Sequence, residues 1–484
     1  MQIKNIFGLV KDPAVRELEV SDIADDSRAV SKGSLFFIIE RPNFDIFSVL
    51  KKVETNVAAY AADIKSKYYI DKLNLKKPIV YRSGIKNHFY RAVKKFYKPD
   101  SKLKIIGITG TNGKTSTAYF FYQLLKKLGQ KAAFFGTIGY FFNSSRYKVA
   151  HTTVDFLTLH KMIKKISQKG INYLVMEVSS HGIAQKRVKG LRFSRTIFTN
   201  LSRDHLDYHK TMASYFKTKK SFFLQNNKSC SIINNDCPYG KKLLSSLDKK
   251  ISYGIKNRSD YQAKNVVISN SSTKFDLVWQ GKVFSLSMRL AGFHNVLNVL
   301  AALAGAHSLD FPLSRLVKLA PSLRSAEGRF QEAAQDIFID YAHTPQGLKN
   351  ILSLLKTLGY KEVISIFGCG GQRDKGKRKI MGRISSRLAD FTIITSDNPR
   401  GEGPLAICRQ VKRGFLNNRF KIIIDRHEAI EKGICIYKRK KEAGVKACLL
   451  IAGKGHEGYQ IFKNKKIAFK DSAVVKQILK NRTS

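Results

Sequence analysis

Residues 105–117 read IIGITGTNGKTST: an apolar run, a glycine-rich turn, then Lys-Thr at the start of a helix-forming stretch. The chemistry this suggests is the cradling of a polyphosphate. Glycines let backbone N–H groups close around phosphate oxygens, and a helix N-terminus adds its positive dipole. Lys114 is then set to reach the β and γ phosphates of a nucleoside triphosphate, and the Thr115 hydroxyl to sit on magnesium. The candidate cradle is Gly110, Thr111, Asn112, Gly113, Lys114, Thr115 and Ser116. The commonest spacing, G-x-x-x-x-G-K-[ST], would put glycine at 108; Ile108 stands there, flanked by Gly107 and Gly110. A glycine turn before a lysine can be a plain strand–helix connection, but here strand, turn residues, Lys-Thr and helix agree.

Such a loop needs a strand to deliver it and a helix to close it. The predicted strand is 104–109. The predicted helix, 114–128, carries Ala118, Phe121, Leu124, Leu125 and Leu128 on one face, with Gly129 as its stop. Further strands are predicted at 173–178, 196–199 and 231–234. From about 102 to 330, then, strands and helices alternate, the pattern of a parallel sheet covered on both faces. Glu177 falls at the C-terminal end of one such strand, where ligand sites gather in open parallel sheets. From about 331 the alternation restarts, with strands at 337–340, 363–367, 391–395, 421–425 and 447–452 and helices such as 346–358 and 427–437. This is a doubly wound, Rossmann-like domain without a dinucleotide glycine fingerprint. Residues 1 to about 100 hold short strands, 34–39 and 78–81 among them, and read as a small α/β cap. The expected architecture is α/β in three domains: 1–100, 101–330 and 331–484.

The chain's 484 residues suit about three domains at roughly 100–200 residues each. A 43% hydrophobic composition argues against intrinsic disorder. The net charge of +51 invites a nucleic-acid reading. Lysine is spread along the whole chain, however, rather than gathered in one arm. The charge therefore reads as decoration of solvated faces that also steers polyanionic nucleotides at low salt. None of the six cysteines forms a C-x-x-C pair, so neither a zinc ribbon nor a redox motif is indicated. The apolar run from Ile6 to Val10 is too short for a signal-peptide core, and no stretch approaches the ~20 apolar residues of a spanning helix. A soluble, reduced, cytoplasmic protein is expected, with no nucleic-acid partner and no membrane span.

The string TGTNGKT (109–115) resembles the phosphate loop of the Mur ligases and the related folylpolyglutamate synthetases. MEVSSH (176–181), FTNLSRDHLDYH (198–209), GFHNVLN (292–298), EGRF (327–330), DYAHTP (340–345), FGCGGQRDKGKR (367–378), SDNPR (396–400) and AGKGHEGYQ (452–460) narrow the likeness. They resemble the branch that adds the third amino acid to UDP-N-acetylmuramoyl-dipeptide, and they run in order from about residue 25 to 471. The resemblance implies a two-step reaction. The dipeptide carboxylate attacks the γ-phosphate of ATP to give an acyl phosphate, and an incoming amine then displaces phosphate through a tetrahedral intermediate. Two anions must be held together, so metal ions, fixed cations and positioning carry the catalysis.

On the same resemblance, Glu177 and His205 hold magnesium, and a carbamylated Lys219, flanked by Lys217 and Lys220, holds a second ion. A lysine cannot bind a dication until a carbamate gives it oxygen donors. Asn295 and Asn298 match nucleotide-contacting asparagines; asparagines before a helix also serve as caps. Arg329 matches a phosphate ligand and Asp340 a residue on the ribose side, both brought to ATP by closure of the C-terminal domain about a hinge near 330.

At the nucleotide-sugar end, DSR (26–28), with Ser27, matches the uridine site, and Thr152, Thr153, Ser179 and Arg187 match contacts to the UDP-muramoyl-dipeptide. Three departures stand out: 40–47 reads ERPNFDIF, keeping only Asp45 of a glycine-rich pattern; Val154 replaces a proline; Lys210 replaces a glycine. At the amino-acid end, Asp397, Asn398, Pro399 and Arg400 form the DNPR string that accompanies meso-diaminopimelate. Arg400, helped by Arg373, can grip the distal carboxylate bidentately, and Gly453 and Glu457 face the distal ammonium and carboxylate. The implied protein is a monomer using ATP, magnesium, the UDP-muramoyl-dipeptide and diaminopimelate. Alternatives are an L-lysine-adding form, another Mur ligase or a folylpolyglutamate synthetase, a ligase with a degenerate uridine pocket, and a basic phosphate-loop protein that binds nucleic acid.

Overall fold

A computed structural model of the chain describes residues 1–40, 45, 47–148, 151–269 and 272–481, and every count or absence below concerns these residues. The departure at 40–47 lies mostly outside them. The chain forms two compact units. One joins Met1–Leu103 to two later segments, Val154–Ile171 and Lys186–Leu191; the other holds the rest.

In the first unit, the strands Asp22–Ala24, Ser34–Phe37, Val57–Asp63 and Ile79–Arg82 form a parallel sheet in that order. Val57–Asp63 reads VAAYAAD, and its alanines carry little strand signal, which hid it from sequence reading. The helix Phe156–Gln168 belongs here. Its Phe156 and Leu157 pack with Phe89, Tyr90 and Val93 of the helix Ile85–Phe96. Asp22 ties the two segments through Lys161 (2.7 Å) and the Tyr97 hydroxyl. Burial alone would raise the Asp22 carboxyl; Lys161 and Tyr97 outweigh it and lower its pKa.

The second unit contains two large sheets. The first runs Lys282–Met288, Thr273–Trp279, Tyr261–Ile268, Lys250–Gly254, Cys230–Asn234, Arg195–Phe198, Lys104–Thr109, Tyr173–Glu177, Ala132–Gly136, Gly139–Phe142 and Ser145–Tyr147. Its middle, from Tyr261–Ile268 to Ala132–Gly136, is parallel as expected. Both margins are antiparallel, which the alternation pattern did not suggest. One margin turns on Gln280 and Gly281, both at positive φ (47° and 75°), a two-residue hairpin whose twist matches its strands. The helices Lys114–Lys127 and Phe293–His307 pack together on one face, burying Phe121, Leu124, Val299 and Leu303.

The second sheet runs Gln331–Ala334, Ile337–Asp340, Ala447–Ala452, Glu362–Phe367, Phe391–Ile394 and Phe420–Ile422, parallel except at Gln331–Ala334. Side chains alternate between two cores. Val363, Phe367 and Leu450 face the helices Pro345–Thr357, Gly376–Leu388 and Pro404–Lys412; Ile364, Ile366 and Leu449 face Arg426–Glu442 and Asp471–Lys480. This is the doubly wound arrangement read from the sequence.

Candidate active site

Three strands end side by side and deliver the phosphate loop. Ile108 lies opposite Glu177 on one neighbour, and Thr109 opposite Phe198 on the other. The loop is then pinned by backbone: Thr111 N donates to Asn200 O (2.8 Å), Asn112 N to Asn200 Oδ1 (3.0 Å), and Thr199 Oγ1 to Asn112 O (2.7 Å). Gly113 has φ +83°, and a Cβ there would stand 2.5 Å from Asn298 Oδ1. A Cβ at Gly110 would strike Thr199 Oγ1. Space, as well as backbone freedom, restricts both positions to glycine.

Glu177 is fully buried, yet its carboxylate is well served. Thr115 Oγ1 donates to Oε2 (3.0 Å), Thr137 N to Oε1 (2.7 Å) and Thr137 Oγ1 to Oε2 (3.1 Å). Arg329 arrives from more than two hundred residues away and donates Nη2 to Thr115 Oγ1 (3.0 Å). Its guanidinium lies 4.4 Å from the centre of the Tyr341 ring, and its Nε is buried without a hydrogen-bond partner. Lys114 Nζ donates to Gly110 O (3.0 Å) and Thr111 O (2.8 Å). Burial lowers its pKa, and Glu177 and Asp204 oppose that.

Of the three neighbouring lysines, Lys219 is the one turned inward, at 1% exposure. Its Nζ donates to Gly110 O (2.9 Å) and Thr109 Oγ1 (3.2 Å). Burial, then the Lys114 charge, holds the amine well below the usual lysine range and favours its neutral form. His205 sits at φ +55°, its Nε2 3.4 Å from Asp204 Oδ2. Burial pushes its pKa down to about 3, so the imidazole is neutral and able to ligate a metal.

Asp204 joins the two sheets of this unit. It takes Lys377 Nζ at 3.0 Å and faces His343 Nε2 at 3.6 Å. Burial alone would raise the Asp204 carboxyl; Lys377, then His205 and His343, outweigh it and hold it well below the usual range. Beside it, Arg203 makes two 3.1 Å contacts with Asp374. Asp340, buried and so raised in pKa, accepts Phe330 N (2.7 Å) and fixes the backbone just past Arg329.

A second cluster gathers at the strand ends of the other sheet. Glu457 Oε2 accepts from Asn398 Nδ2 (3.0 Å) and Lys454 Nζ (3.2 Å), and Oε1 accepts from the Tyr341 hydroxyl (3.4 Å). Lys454 is fully buried. Gly453 (φ +109°) lies over Asp397: a Cβ would come 2.8 Å from Asp397 Oδ2. Arg400, half-buried at φ +52°, donates Nη1 to Gly371 O (2.9 Å) and Asn398 O (3.3 Å). Burial, then the charge of Arg373, lowers its pKa. Pro399 O abuts Gly371. Arg373, Asp397, Asn398, Pro399, Arg400, Gly453 and Glu457, drawn from three separate stretches of chain, thus share one neighbourhood.

Residues 108–306 match the Mur ligase middle domain, and residues 328–455 match the Mur ligase, glutamate ligase domain. A UDP-N-acetylmuramoyl-L-alanyl-D-glutamate–2,6-diaminopimelate ligase of Clostridium botulinum is 35% identical over 475 residues, 96% of this chain and 95% of its own. The protein of that name from Caldanaerobacter subterraneus is 37% identical over 472 residues, again 96% and 95%. The chain belongs to the Mur ligase family. A solved structure of a ligase with the same name aligns at a TM-score of 0.67 and 30% identity, over 100% of this chain and 99% of the other.

The other site residues of this Mur ligase have local partners of their own. Asn295 and Asn298 do not cap the helix Phe293–His307, whose N-cap is Gly292. They lie in its first two turns, where Asn298 Oδ1 accepts from Thr117 Oγ1 (3.2 Å) and Asn295 Nδ2 donates to Ala291 O (2.8 Å). Thr153, fully buried, donates Oγ1 to Glu177 O (3.0 Å) and accepts from Ser179 N (3.1 Å). Ser179 Oγ accepts from Gly182 N (3.0 Å), capping the short helix Ser180–Ala184, and Thr152 Oγ1 meets Thr137 Oγ1 at 2.9 Å. Ser27 and Arg187 belong to the first compact unit, both half-buried.

Sequence reading missed Thr137, Arg203, Asp374, Lys377 and Lys454. Thr137 makes its shorter bond to Glu177 through its N–H, which no residue type advertises. The two lysines fall within recognised strings, but with 87 lysines and arginines in the chain only burial sets them apart.

Proposed function

We propose that this Mur ligase is a UDP-N-acetylmuramoyl-L-alanyl-D-glutamate–2,6-diaminopimelate ligase, a cytoplasmic enzyme that uses ATP and magnesium. We read the chain as three domains, 1–100 for the UDP-sugar, 101–330 for ATP and 331–484 for the amino acid. The observation that carries the proposal is the meeting of Arg329, Thr115 and Glu177 beside Lys114. Cations, a hydroxyl and a carboxylate from distant parts of the chain converge where the phosphate loop ends. The orphaned Nε of Arg329 suits an anionic partner such as a phosphate oxygen.

The residues also suit magnesium. Among the described residues no group of three His, Cys, Asp or Glu is placed to hold a metal ion by itself. Magnesium does not need one, since it takes one or two protein oxygens together with phosphate and water. Thr115, Glu177 and His205 would hold one ion, and Lys219, once carbamylated, a second. Bound there, magnesium neutralises charge on the transferring phosphoryl group. Lys114 and Arg329 supply fixed positive charge to the same oxygens, so the anionic carboxylate can approach. Its oxygen attacks the γ-phosphorus and ADP leaves. The neutral diaminopimelate amine then attacks the acyl carbon; the tetrahedral adduct gives up a nitrogen proton to solvent and expels phosphate with the C–O bonding pair.

For the amino acid, Arg400 with Arg373 would take the distal carboxylate, and Glu457, balanced by Lys454, the distal ammonium. The test incubates the protein with ATP, magnesium and UDP-N-acetylmuramoyl-L-Ala-D-Glu, with meso-diaminopimelate or L-lysine in parallel arms, and weighs the product. Ligation in the diaminopimelate arm with ADP release is expected. A lysine adduct alone would overturn the amino-acid assignment, and turnover with folate instead of the UDP-dipeptide would overturn the class.

A further inference from the structure

We propose that the outer face of one helix layer in the C-terminal part of the chain docks on an anionic lipid bilayer. The helices Pro345–Thr357, Gly376–Leu388 and Pro404–Lys412 cover the same side of the six-stranded sheet, for Leu348, Met381 and Val411 share one core. Helices layered on one sheet face turn their polar stripes outward together. On Gly376–Leu388 the exposed residues Lys379, Arg383 and Arg387 recur every fourth position and form one stripe. Gly382 packs against Val411 O, which sets this helix beside the next. That neighbour exposes Arg409 and Lys412 and, just past its end, Arg413.

A basic protein will have basic faces, so the placement of acids decides whether this one is distinctive. Between 345 and 420 no aspartate or glutamate is exposed. Those nearest the layer are spent, Asp390 on Lys356 (2.5 Å) and Glu402 on Arg378 (2.7 Å). Across the sheet the helix Arg426–Glu442, capped by Asp425, mixes exposed Glu428, Glu431 and Glu442 with exposed Arg439 and Lys441. Exposed acids therefore break up the charge on that face, whereas none does on this one.

Aliphatic side chains stand among the cations: Ile380, Leu405 and Leu416 are 38%, 37% and 58% exposed. Leu416 is fixed beside the first stripe through its N–H to Ser386 Oγ (3.0 Å). Arginine and lysine interleaved with leucine and isoleucine suit the boundary of headgroups and acyl chains. A single-stranded nucleic acid would instead call for aromatic platforms, and the large exposed apolar residues of this layer include none. No helix of the described residues is long and apolar enough to cross a membrane, so the contact is peripheral.

The test is co-sedimentation of the full-length protein with vesicles of equal phosphatidylglycerol and phosphatidylcholine, against pure phosphatidylcholine, at about 0.15 M salt. The patch variant combines Arg383→Glu, Arg387→Glu, Arg409→Glu and Arg413→Glu. The control moves the same charge elsewhere, with Lys126→Glu, Lys127→Glu, Arg315→Glu and Lys318→Glu, all exposed residues. Wild type is expected to bind anionic vesicles only. The patch variant should lose roughly tenfold or more in affinity and the control less than about threefold. Thermal melting checks each fold, and glutamine substitutions at the same positions replace any that fail to fold. Absence of wild-type binding, or equal loss in patch and control variants, overturns the proposal. So does a patch variant that keeps vesicle binding while losing affinity for single-stranded RNA.

Discussion

In the phosphate loop itself the chain supplies mostly backbone. Strand register, the amides of Thr111 and Asn112, and two glycines that no other residue can replace build the loop within a few residues of each other. At the amino-acid end it supplies side chains: Glu457 is satisfied by Asn398, Lys454 and Tyr341, each from a different stretch. Two of those stretches are fastened underneath by Arg426, whose side chain is fully buried. It pairs with Asp471 through two 2.8 Å contacts and donates Nη2 to Ala452 O (3.0 Å) and Nη1 to Ser396 O (3.3 Å), where the two pocket loops begin. A phosphate is the same in every nucleotide and can be held by a local, repeatable device. An amino-acid side chain must be distinguished from others, which takes several directed groups and a rigid support.

The contrast predicts where damage falls. Glu177→Gln should leave the fold intact and lower kcat/KM for ADP release by about 10³-fold, since it removes an oxygen charge that Thr115 and Thr137 have already oriented. Retention of activity would mean the phosphate end does not depend on this carboxylate. Arg426→Met should cost about 3–5 kcal/mol in urea unfolding, because it strands the Asp471 charge in the interior. A loss under about 1 kcal/mol would show that the pocket needs no buried fastening. Arg400→Ala should raise KM for diaminopimelate by about 10²-fold with KM for ATP unchanged, the loss of a charged hydrogen-bonding partner. Unchanged diaminopimelate kinetics would refute its role.

Smaller effects test the contacts that join the two ends. Arg203 is 40% exposed in its side chain, so Arg203→Ala and Asp374→Asn should each change kcat/KM only a few-fold, and the double variant no more than either alone. Additive losses would mean the pair does not act as a unit. The smallest effect concerns pH. Asp204 is lowered in the folded state, so its stabilisation is present above its unfolded pKa near about 4 and is lost as pH falls through the folded value. Burial alone would lower the pKa of Lys377, but Asp204 outweighs it and the pKa is raised. Its share is therefore present below about 10 and lost as pH rises through the folded value. In Lys377→Met burial is free to raise the Asp204 carboxyl, so the stability difference from wild type should grow as pH rises above about 4; a difference that stays flat from about pH 4 to 7 would contradict the pairing.

Much of this was legible in order along the chain. The phosphate loop, its strand and its helix are contiguous, and their residue types report their own conformation, so Lys104–Thr109 and the helix from Lys114 appear as read. The doubly wound alternation after 331 is legible for the same reason: both faces of the central strands Glu362–Phe367 and Ala447–Ala452 are largely apolar. Local pattern could not show the antiparallel margins of the large sheet, nor that Val154–Ile171 packs with the N-terminal sheet, since both depend on which distant surface a segment meets.

The order and identity of residues alone determined the phosphate loop, the family likeness and the candidate residues at both ends of the site, because each is written in a short run whose geometry is local. Only the tertiary structure decided which of many lysines matter. Lys219, Lys377 and Lys454 look like dozens of others until folding takes them out of water. A charge acquires a specific partner and a shifted pKa only once solvent no longer screens it.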